Sequence, residues 1–164
     1  MTLPTGYALR PATVADAELI QAQRDEIFTE MGREVGLVRS VSAASLSWLR
    51  SALGSGLYQG WLVEDTEGRA LAGAGVTWQH LQPSPASGTQ ARAYLDNVYV
   101  APQARRQGLA RRLVQRLLAE CEGRGVQLVT LHATAAGRPV YETLGFVPTD
   151  EMRLTLPVAG VETA

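Results

Sequence analysis

The chain has 164 residues and a formal net charge of −1, and 46% of its residues are hydrophobic while 19% are charged. The length suits one domain spanning 1–164 with a buried core, and the composition is typical of a soluble globular protein. The balanced charge argues against partners such as nucleic acid or an anionic membrane surface. Because no stretch approaches a membrane span and the N-terminus does not resemble a signal peptide, we expect a cytoplasmic protein.

The chain holds few residues that bind metals. Cys121 is the only cysteine, so no internal disulfide can form, and its helical spacing predicts a buried structural thiol. The two histidines show no clustered spacing with it. The sequence therefore predicts no metal site.

The first half of the chain predicts a strand, two helices and a hairpin. Thr13 is a predicted N-cap, with Asp16 three residues later as in a capping box. Apolar periodicity predicts a helix that follows this cap and ends at about Phe28, and a second helix over Ser42–Leu53. Turn residues and β-rich runs predict three strands, over Tyr7–Arg10, Tyr58–Glu64 and Ala70–Gln79.

The second half alternates strands and helices. A Pro-, Ser- and Gly-rich loop covers His80–Arg92. The patterns then predict strands over Ala93–Val100 and Gln127–Thr134, helices over Gly108–Arg124 and Gly137–Leu144, and one or two last strands that include Met152–Leu156. This mixed order predicts an α/β domain with a central mixed sheet.

The segment Tyr94–Leu118 is the most informative part of the chain. It reads as a strand, a short loop with glycine and arginines, and a helix. From Asn97 to Ala119 there is no acidic residue, although five arginines lie there. A helix start leaves backbone N–H groups unpaired and carries partial positive charge, so this segment is suited to bind a phosphorylated ligand. The alternative is a solvated helix face behind an ordinary cap.

This segment resembles the cofactor-binding motif of the GNAT superfamily, the acyl-CoA-dependent N-acetyltransferases. The motif residues are Arg105-Arg106-Gln107-Gly108-Leu109-Ala110, after the strand Leu95–Val100, and Tyr141 to Phe146 is similar to the family's Tyr-x-x-x-Gly-Phe ending. The resemblance implies a GNAT-like α/β fold with a central mixed twisted sheet of six to seven strands and about four flanking helices. It also implies acetyl-CoA as co-substrate.

The resemblance assigns the cofactor contacts mainly to the backbone. It implies that amides from Arg106 through Arg111, a run that includes Gln107, Gly108, Leu109 and Ala110, surround the CoA phosphates. Arg105 would anchor the loop or contact phosphate itself. An amide near Val98 would stabilise the oxyanion of the thioester, and Val100 would pair with the pantetheine arm.

Tyr141 is the first catalytic candidate, because the family has a tyrosine here that protonates the leaving thiolate. The alternative is a half-buried aromatic that packs its helix on the sheet. Asp96 is the candidate base, since strand alternation gives it the same face as Val98 and Val100. The polyamine-acetylating branch of the family, which this strand resembles, has Glu at this position. The alternatives for Asp96 are therefore that it only attracts the charge of the substrate, or that it makes a structural hydrogen bond. Tyr94 is a weaker alternative contact.

One position departs from the family pattern. Many members carry Asn after the fifth strand to hold the pantetheine, and here the residue is Thr134, which can make fewer hydrogen bonds. His132, two residues earlier, reads as a structural histidine more readily than as a base. On the acceptor side, Glu26, Glu30 and Glu34 have helical spacing and either meet a cationic amine or form a solvated face.

The function that the sequence predicts is acetyl transfer from acetyl-CoA to a primary amine by direct attack in a ternary complex. The acceptor is a small molecule or a peptide amine. The alternative is a non-catalytic acyl-CoA-binding sensor on the same fold, because fold alone does not decide function. A homodimer is possible, with the final strand paired or exchanged between copies.

Overall fold

The protein, described here over residues 3–156 of a computed structural model, forms one mixed sheet flanked by four α-helices. The strands are β1 (Tyr7–Pro11), β2 (Tyr58–Asp65), β3 (Ala70–His80), β4 (Ala91–Val100) and β5 (Leu128–Leu131). The helices are α1 (Ala17–Glu30), α2 (Val35–Ser55), α3 (Leu109–Gly123) and α4 (Arg138–Glu142), with short 3₁₀ turns at Val14–Asp16 and Pro102–Ala104.

The sheet keeps the strands in chain order, β1-β2-β3-β4-β5. The first four strands pair antiparallel, whereas β4 and β5 are parallel. Helices α1 and α2 connect β1 to β2, loops connect β2 to β3 and β3 to β4, and a crossover through α3 connects β4 to β5, because parallel neighbours need a long connection. The α/β class and the mixed sheet predicted from the sequence are confirmed.

Each face of the sheet has its own core. On one face α3 buries Leu113, Val114 and Leu117 against alternate residues of β3 and β4. On the other face α1 and α2 bury Ile20 and Leu49 against β2. Period-two strands and period-3.6 helices bring apolar side chains to both sides, so the sheet is covered twice.

The predicted first cap is formed, and the second helix is longer than predicted. The Thr13 backbone N–H donates to the Asp16 carboxylate at 2.8 Å, as in a capping box. Helix α2 begins at Val35, seven residues before the predicted start, because the Glu34 side chain accepts hydrogen bonds from the N–H groups of Gly36 and Leu37. Gly36 therefore lies inside the helix and does not break it.

The predicted strand count is wrong: the described residues form five strands where six to seven were expected. Residues Met152–Leu156 alternate in the expected way but form no strand. Met152 and Leu154 are 95% and 81% exposed. A segment with alternating residues forms a strand only where it pairs with a free edge of a sheet, and this segment does not pair with β5. Between residues 3 and 156, no helix has the length and apolarity needed to cross a bilayer.

Gly75 tests how closely β2 and β3 pack. A Cβ there would lie 1.8 Å from the Tyr58 hydroxyl oxygen, so Gly75→Ala must displace the buried Tyr58 ring. We expect a loss of about 1–3 kcal/mol in unfolding free energy, measured by urea denaturation. Gly123→Ala is the matched control, because nothing lies within 4 Å of its Cβ. An equally small effect of both substitutions would contradict this account.

Candidate active site

Strand β4 carries a bulge at Asn97. Asp96 pairs with Gly75 of β3, whereas Tyr99 pairs with Gly73, so β4 advances by three residues where β3 advances by two. The extra residue, Asn97, has φ 52°. Only two non-glycine residues in the described range have positive φ, and this conformation is uncommon for any side chain except Asn and Asp.

The bulge changes which face each β4 side chain takes. Val98 and Val100 pack on the core beneath α3, together with Leu95. Asp96 lies on the opposite face, where the Thr77 hydroxyl donates to its Oδ2 at 3.5 Å. The predicted shared face of Asp96 with Val98 and Val100 is therefore wrong, because one inserted residue reverses the alternation.

The bulge also coincides with the end of the β4–β5 ladder. The two strands pair from Arg92–Leu128 to Leu95–Leu131 and no further. From Asp96 to Val100 the backbone of β4 has no strand partner on the β5 side. Backbone groups that lose a ladder partner are free to bind a ligand, and such groups seldom stay unpaired when buried.

Asp96 is the carboxylate buried most deeply in this region. Burial raises its pKa to about 6, against the opposing effects of the Arg24 charge and the Thr77 hydrogen bond. Its Oδ1 is buried and has no hydrogen-bond partner among the described residues. An unsatisfied buried oxygen is costly, and such an atom in a native structure calls for an explanation, so it marks Asp96 as a candidate functional group.

The loop before α3 presents its backbone to solvent. Arg106 has φ 63° and Gly108 has φ 77°, so the chain turns twice into the left-handed region. No side chain caps α3 at Gly108. The N–H groups of the first turn therefore have no helical partner, and such a turn is suited to bind an anion. Leu109 is 1% exposed, because it packs in the core beneath α3.

Arg105 anchors this loop. Its Nε donates to the Val100 carbonyl at 3.0 Å, and its Nη2 donates to Glu30 of α1 at 2.6 Å. The guanidinium thus joins the loop to β4 and to α1 at once. Of the two roles that the sequence left open, the geometry favours anchoring over phosphate contact, because both ends of the fork are engaged.

Tyr141 and Thr134 lie at α4. Tyr141 is 9% exposed and packs edge-to-face on Phe146, with ring centroids 5.9 Å apart. Burial raises the pKa of Tyr141, so its phenol stays protonated at neutral pH. The Thr134 hydroxyl accepts the N–H of Gly137 at 3.0 Å, so this side chain caps the start of α4.

A cavity of about 1150 Å³ runs along the outer edge of β5. Tyr141, Tyr94 and His132 all line it, whereas Asp96 and the loop before α3 do not. The Tyr94 hydroxyl lies 2.5 Å from His132 Nδ1, and Arg153 lies 2.7 Å from Nε2. Because arginine can only donate, Nε2 accepts, and Nδ1–H of a neutral ring donates to the Tyr94 oxygen.

The three acidic residues with helical spacing have partners within the protein, and only Glu26 and Glu30 lie on α1. Glu26 accepts a hydrogen bond from the Tyr99 hydroxyl, Glu30 binds Arg105, and Glu34 caps α2. Each of the three carboxylates therefore already has a hydrogen-bond partner within the protein, and none is free to bind a cationic amine. Among residues 3–156, no group of three or more His, Cys, Asp or Glu side chains is arranged to hold a metal ion.

The sequence reasoning missed the residues that hold the bulge. Arg24 Nη1 donates to Asn97 Oδ1 at 2.6 Å, and Asn97 Nδ2 donates to the Tyr58 hydroxyl at 3.1 Å. A signal was present, because Asn97 is a polar residue at a buried position of an apolar strand. Gly75, opposite the bulge, was a second signal of close packing.

Comparison with known proteins agrees with this geometry. The family described as Acetyltransferase (GNAT) domain matches residues 67–155. A GCN5-related N-acetyltransferase from Ralstonia eutropha JMP134 is 35% identical, with a TM-score of 0.88 over 94% of this chain and 100% of that one. A predicted acetyltransferase from Clostridium acetobutylicum, solved with acetyl-CoA, is 26% identical, with a TM-score of 0.84 over 92% and 96% of the two chains.

More distant structures share the fold alone. The aminoglycoside N-acetyltransferase AAC(6')-Iy, solved in complex with CoA, is 16% identical, with a TM-score of 0.72 over 95% of this chain and 99% of that one. No curated protein sequence matches the chain. The family match covers more than half of the residues, and the bulged strand with its uncapped helix start agrees with it: the chain belongs to the GNAT acetyltransferase family.

Proposed function

We propose that this protein transfers the acetyl group of acetyl-CoA to a primary amine by direct attack in a ternary complex. One observation carries the proposal. The bulge at Asn97 gives β4 an unpartnered backbone on the β5 side and leaves the buried Asp96 carboxylate with a free oxygen on the α1 side. Acyl transfer to an amine needs both an oxyanion donor and a proton acceptor.

Acetyl-CoA would bind at the loop before α3. The backbone amides of the turn would contact the phosphates. The residues of this turn are Arg106, Gln107, Gly108, Leu109, Ala110 and Arg111. The backbone near Val98 and Val100 would hold the thioester and the pantetheine, with Thr134 close to the arm. The support is the uncapped helix start and the acetyl-CoA or CoA in two structural neighbours.

The residues then divide the proton chemistry between them. Asp96 would accept the proton of the alkylammonium, either directly or through water, so that the free amine attacks the carbonyl carbon. As the C–S bond breaks, the Tyr141 hydroxyl would donate its proton to the sulfur, and the extra proton on the nitrogen of the adduct would pass through water to the phenolate, so that the products are the amide and the free thiol of CoA. Both assignments agree with the pKa directions, because burial raises the pKa of Asp96 toward neutrality and keeps Tyr141 protonated.

The acceptor class is a small-molecule or peptide amine. AAC(6')-Iy is an aminoglycoside N-acetyltransferase, so the fold serves amine acceptors in that neighbour. In this chain the three acidic residues with helical spacing already have partners, which leaves Asp96 as the negative charge that an amine would meet.

Calorimetry tests the proposal first. Acetyl-CoA is titrated into the protein, with desulfo-CoA and ATP as comparators. We expect micromolar binding that is selective for the two CoA compounds, followed by acetyl-CoA consumption in a screen of primary amines. Absence of CoA binding, or binding without turnover for any amine, would contradict the proposal.

Gly108→Ala tests the phosphate loop. The substitution places a side chain at φ 77°, a conformation that costs an ordinary residue about 1–2 kcal/mol, and so it tilts the amides. We expect the dissociation constant for acetyl-CoA to rise about tenfold, equal to roughly 1.4 kcal/mol. The control is Gly123→Ala, far along the same helix. Unchanged affinity would show that the loop does not bind the cofactor.

Tyr141→Phe tests the proton donor. The ring and its packing on Phe146 remain while the hydroxyl is lost. We expect kcat to fall about 100-fold with acetyl-CoA affinity unchanged, because general acid catalysis contributes about 10²–10⁴ in rate. Steady-state kinetics together with calorimetry give both quantities. The acid role is excluded if turnover remains intact across the pH range.

Asp96→Asn tests the proton acceptor through pH dependence. The wild-type rate, as kcat/KM, should fall as pH drops through about 6, because a protonated Asp96 cannot accept a proton. Asparagine should lower kcat at least tenfold and remove this acidic limb. If the variant keeps the wild-type limb, another group is the base.

A further inference from the structure

Asn97 occupies an uncommon conformation beside the candidate site. Its φ of 52° lies in the left-handed region, which asparagine adopts more readily than most side chains, and the residue is only 8% exposed. Such conformations of non-glycine residues concentrate at functional sites, where the surroundings hold them. The Asn97 side chain contacts two other elements, α1 and β2.

The amide of Asn97 is fixed from two sides. Arg24 of α1 can only donate, so the oxygen of the amide faces Arg24 at 2.6 Å. The amide nitrogen then faces β2 and donates to the Tyr58 hydroxyl at 3.1 Å. Tyr58 is 2% exposed, so the contact is shielded from water. We call Arg24, Asn97 and Tyr58 the bulge clamp.

Two glycines on β3 make room for side chains that pack beside the bulge, and one of these side chains, Tyr58, belongs to the clamp. A Cβ at Gly75 would overlap the Tyr58 hydroxyl, and a Cβ at Gly73 would lie 2.6 Å from Gln23 of α1. Gly73 and Gly75 are also the β3 residues whose pairing flanks the bulge. Glycine weakens a strand, so its use here indicates that the space above β3 is needed.

The clamp also determines which group the Arg24 guanidinium binds. Arg24 lies near enough to Asp96 to lower the pKa of that carboxyl, yet its hydrogen bond goes to Asn97. The Asp96 Oδ1 stays without a partner in the described structure. Besides Arg24, the polar groups that face Asp96 are Thr77, Tyr58 and Tyr94.

We infer that the bulge clamp is a positioning device, which fixes the β4 bulge and keeps Arg24 from pairing with Asp96, so that the carboxylate remains free for the acceptor amine. This inference rests on the proposed function. It adds Tyr58, Asn97 and Arg24 as positioning residues that contact neither substrate. The clamp acts on the rate of transfer and not on the affinity for acetyl-CoA.

Two substitutions separate the two roles of the clamp. Tyr58→Phe removes one hydroxyl and keeps the ring, while Asn97→Gly removes the amide and tolerates positive φ. Tyr58→Phe should lower kcat about tenfold, with acetyl-CoA affinity within threefold of wild type. Asn97→Gly frees Arg24 to pair with Asp96, so the acidic limb of the kcat/KM profile should move about one pH unit lower.

Non-additivity and a matched control complete the design. The double variant should be no slower than Asn97→Gly alone, because both substitutions break one unit. Tyr7→Phe removes a tyrosine hydroxyl on β1, outside the clamp, and should keep wild-type kinetics. A purely structural role would lower the melting temperature and leave the acidic limb where it is, and that result would overturn the inference.

Hydrogen exchange tests the clamp without turnover. Tyr58→Phe should speed amide exchange over Asp96–Val100 and leave α3 as in the wild type. Unchanged exchange in that segment would overturn the clamp whatever the kinetics show. If the wild-type protein transfers acetyl to no amine, the proposed function fails by itself, and the exchange result still decides whether the clamp exists.

Discussion

Strand β4 has two neighbours in the sheet, and its hydrogen bonds to one of them stop halfway along. Pairing with β5 ends at Leu95–Leu131, and the bulge at Asn97 follows within two residues. The proposed site depends on this break. Beyond it the backbone of β4 is open on one side, and the inserted residue turns Asp96 toward α1 while Val98 and Val100 stay on the α3 core. One backbone event thus separates the acceptor side of the site from the core side.

The two faces of the sheet divide the work between them. The α3 face is apolar and continuous, from Ala72 to Tyr141, and it fixes the helix whose uncapped start follows the loop. The α1 face is polar around the break, where the half-buried Arg24 contacts the buried Asn97, which in turn contacts the buried Tyr58. Buried polar groups in a low dielectric are stabilising only when fully hydrogen-bonded. Among the described residues, Asp96 Oδ1 and Gln23 Nε2 are buried near the break without a hydrogen-bond partner, and Asp96 is the one of the two that carries a titratable group.

Arginine side chains hold the ends of the site together. Arg105 ties the loop before α3 to Glu30 and to the Val100 carbonyl, and Arg24 ties α1 to the bulge. Both use the planar guanidinium, whose fork of donors lysine lacks. Arg105 binds oxygen atoms of two different elements, and Arg24 orients the Asn97 amide. The acidic residues that the helical spacing put forward as an amine site have structural partners: Glu30 binds Arg105, Glu26 binds Tyr99, and Glu34 caps α2. Position relative to the break, more than charge itself, decides which carboxylate is left free.

The sequence by itself determined the family, the α/β class and the loop that begins α3, because these depend on local spacing: apolar periodicity, a glycine at the helix start and a Tyr-x-x-x-Gly-Phe ending. The family resemblance put Tyr141 forward, and strand alternation together with that resemblance put Asp96 forward; their roles remain proposals. Only the tertiary structure decided the rest. The face of Asp96 could not be read from alternation, because a bulge depends on a partner strand and on Arg24 and Tyr58, which are distant in sequence. The strand count failed for the same reason: Met152–Leu156 has the pattern of a strand, but pairing needs an edge that only the folded chain can supply.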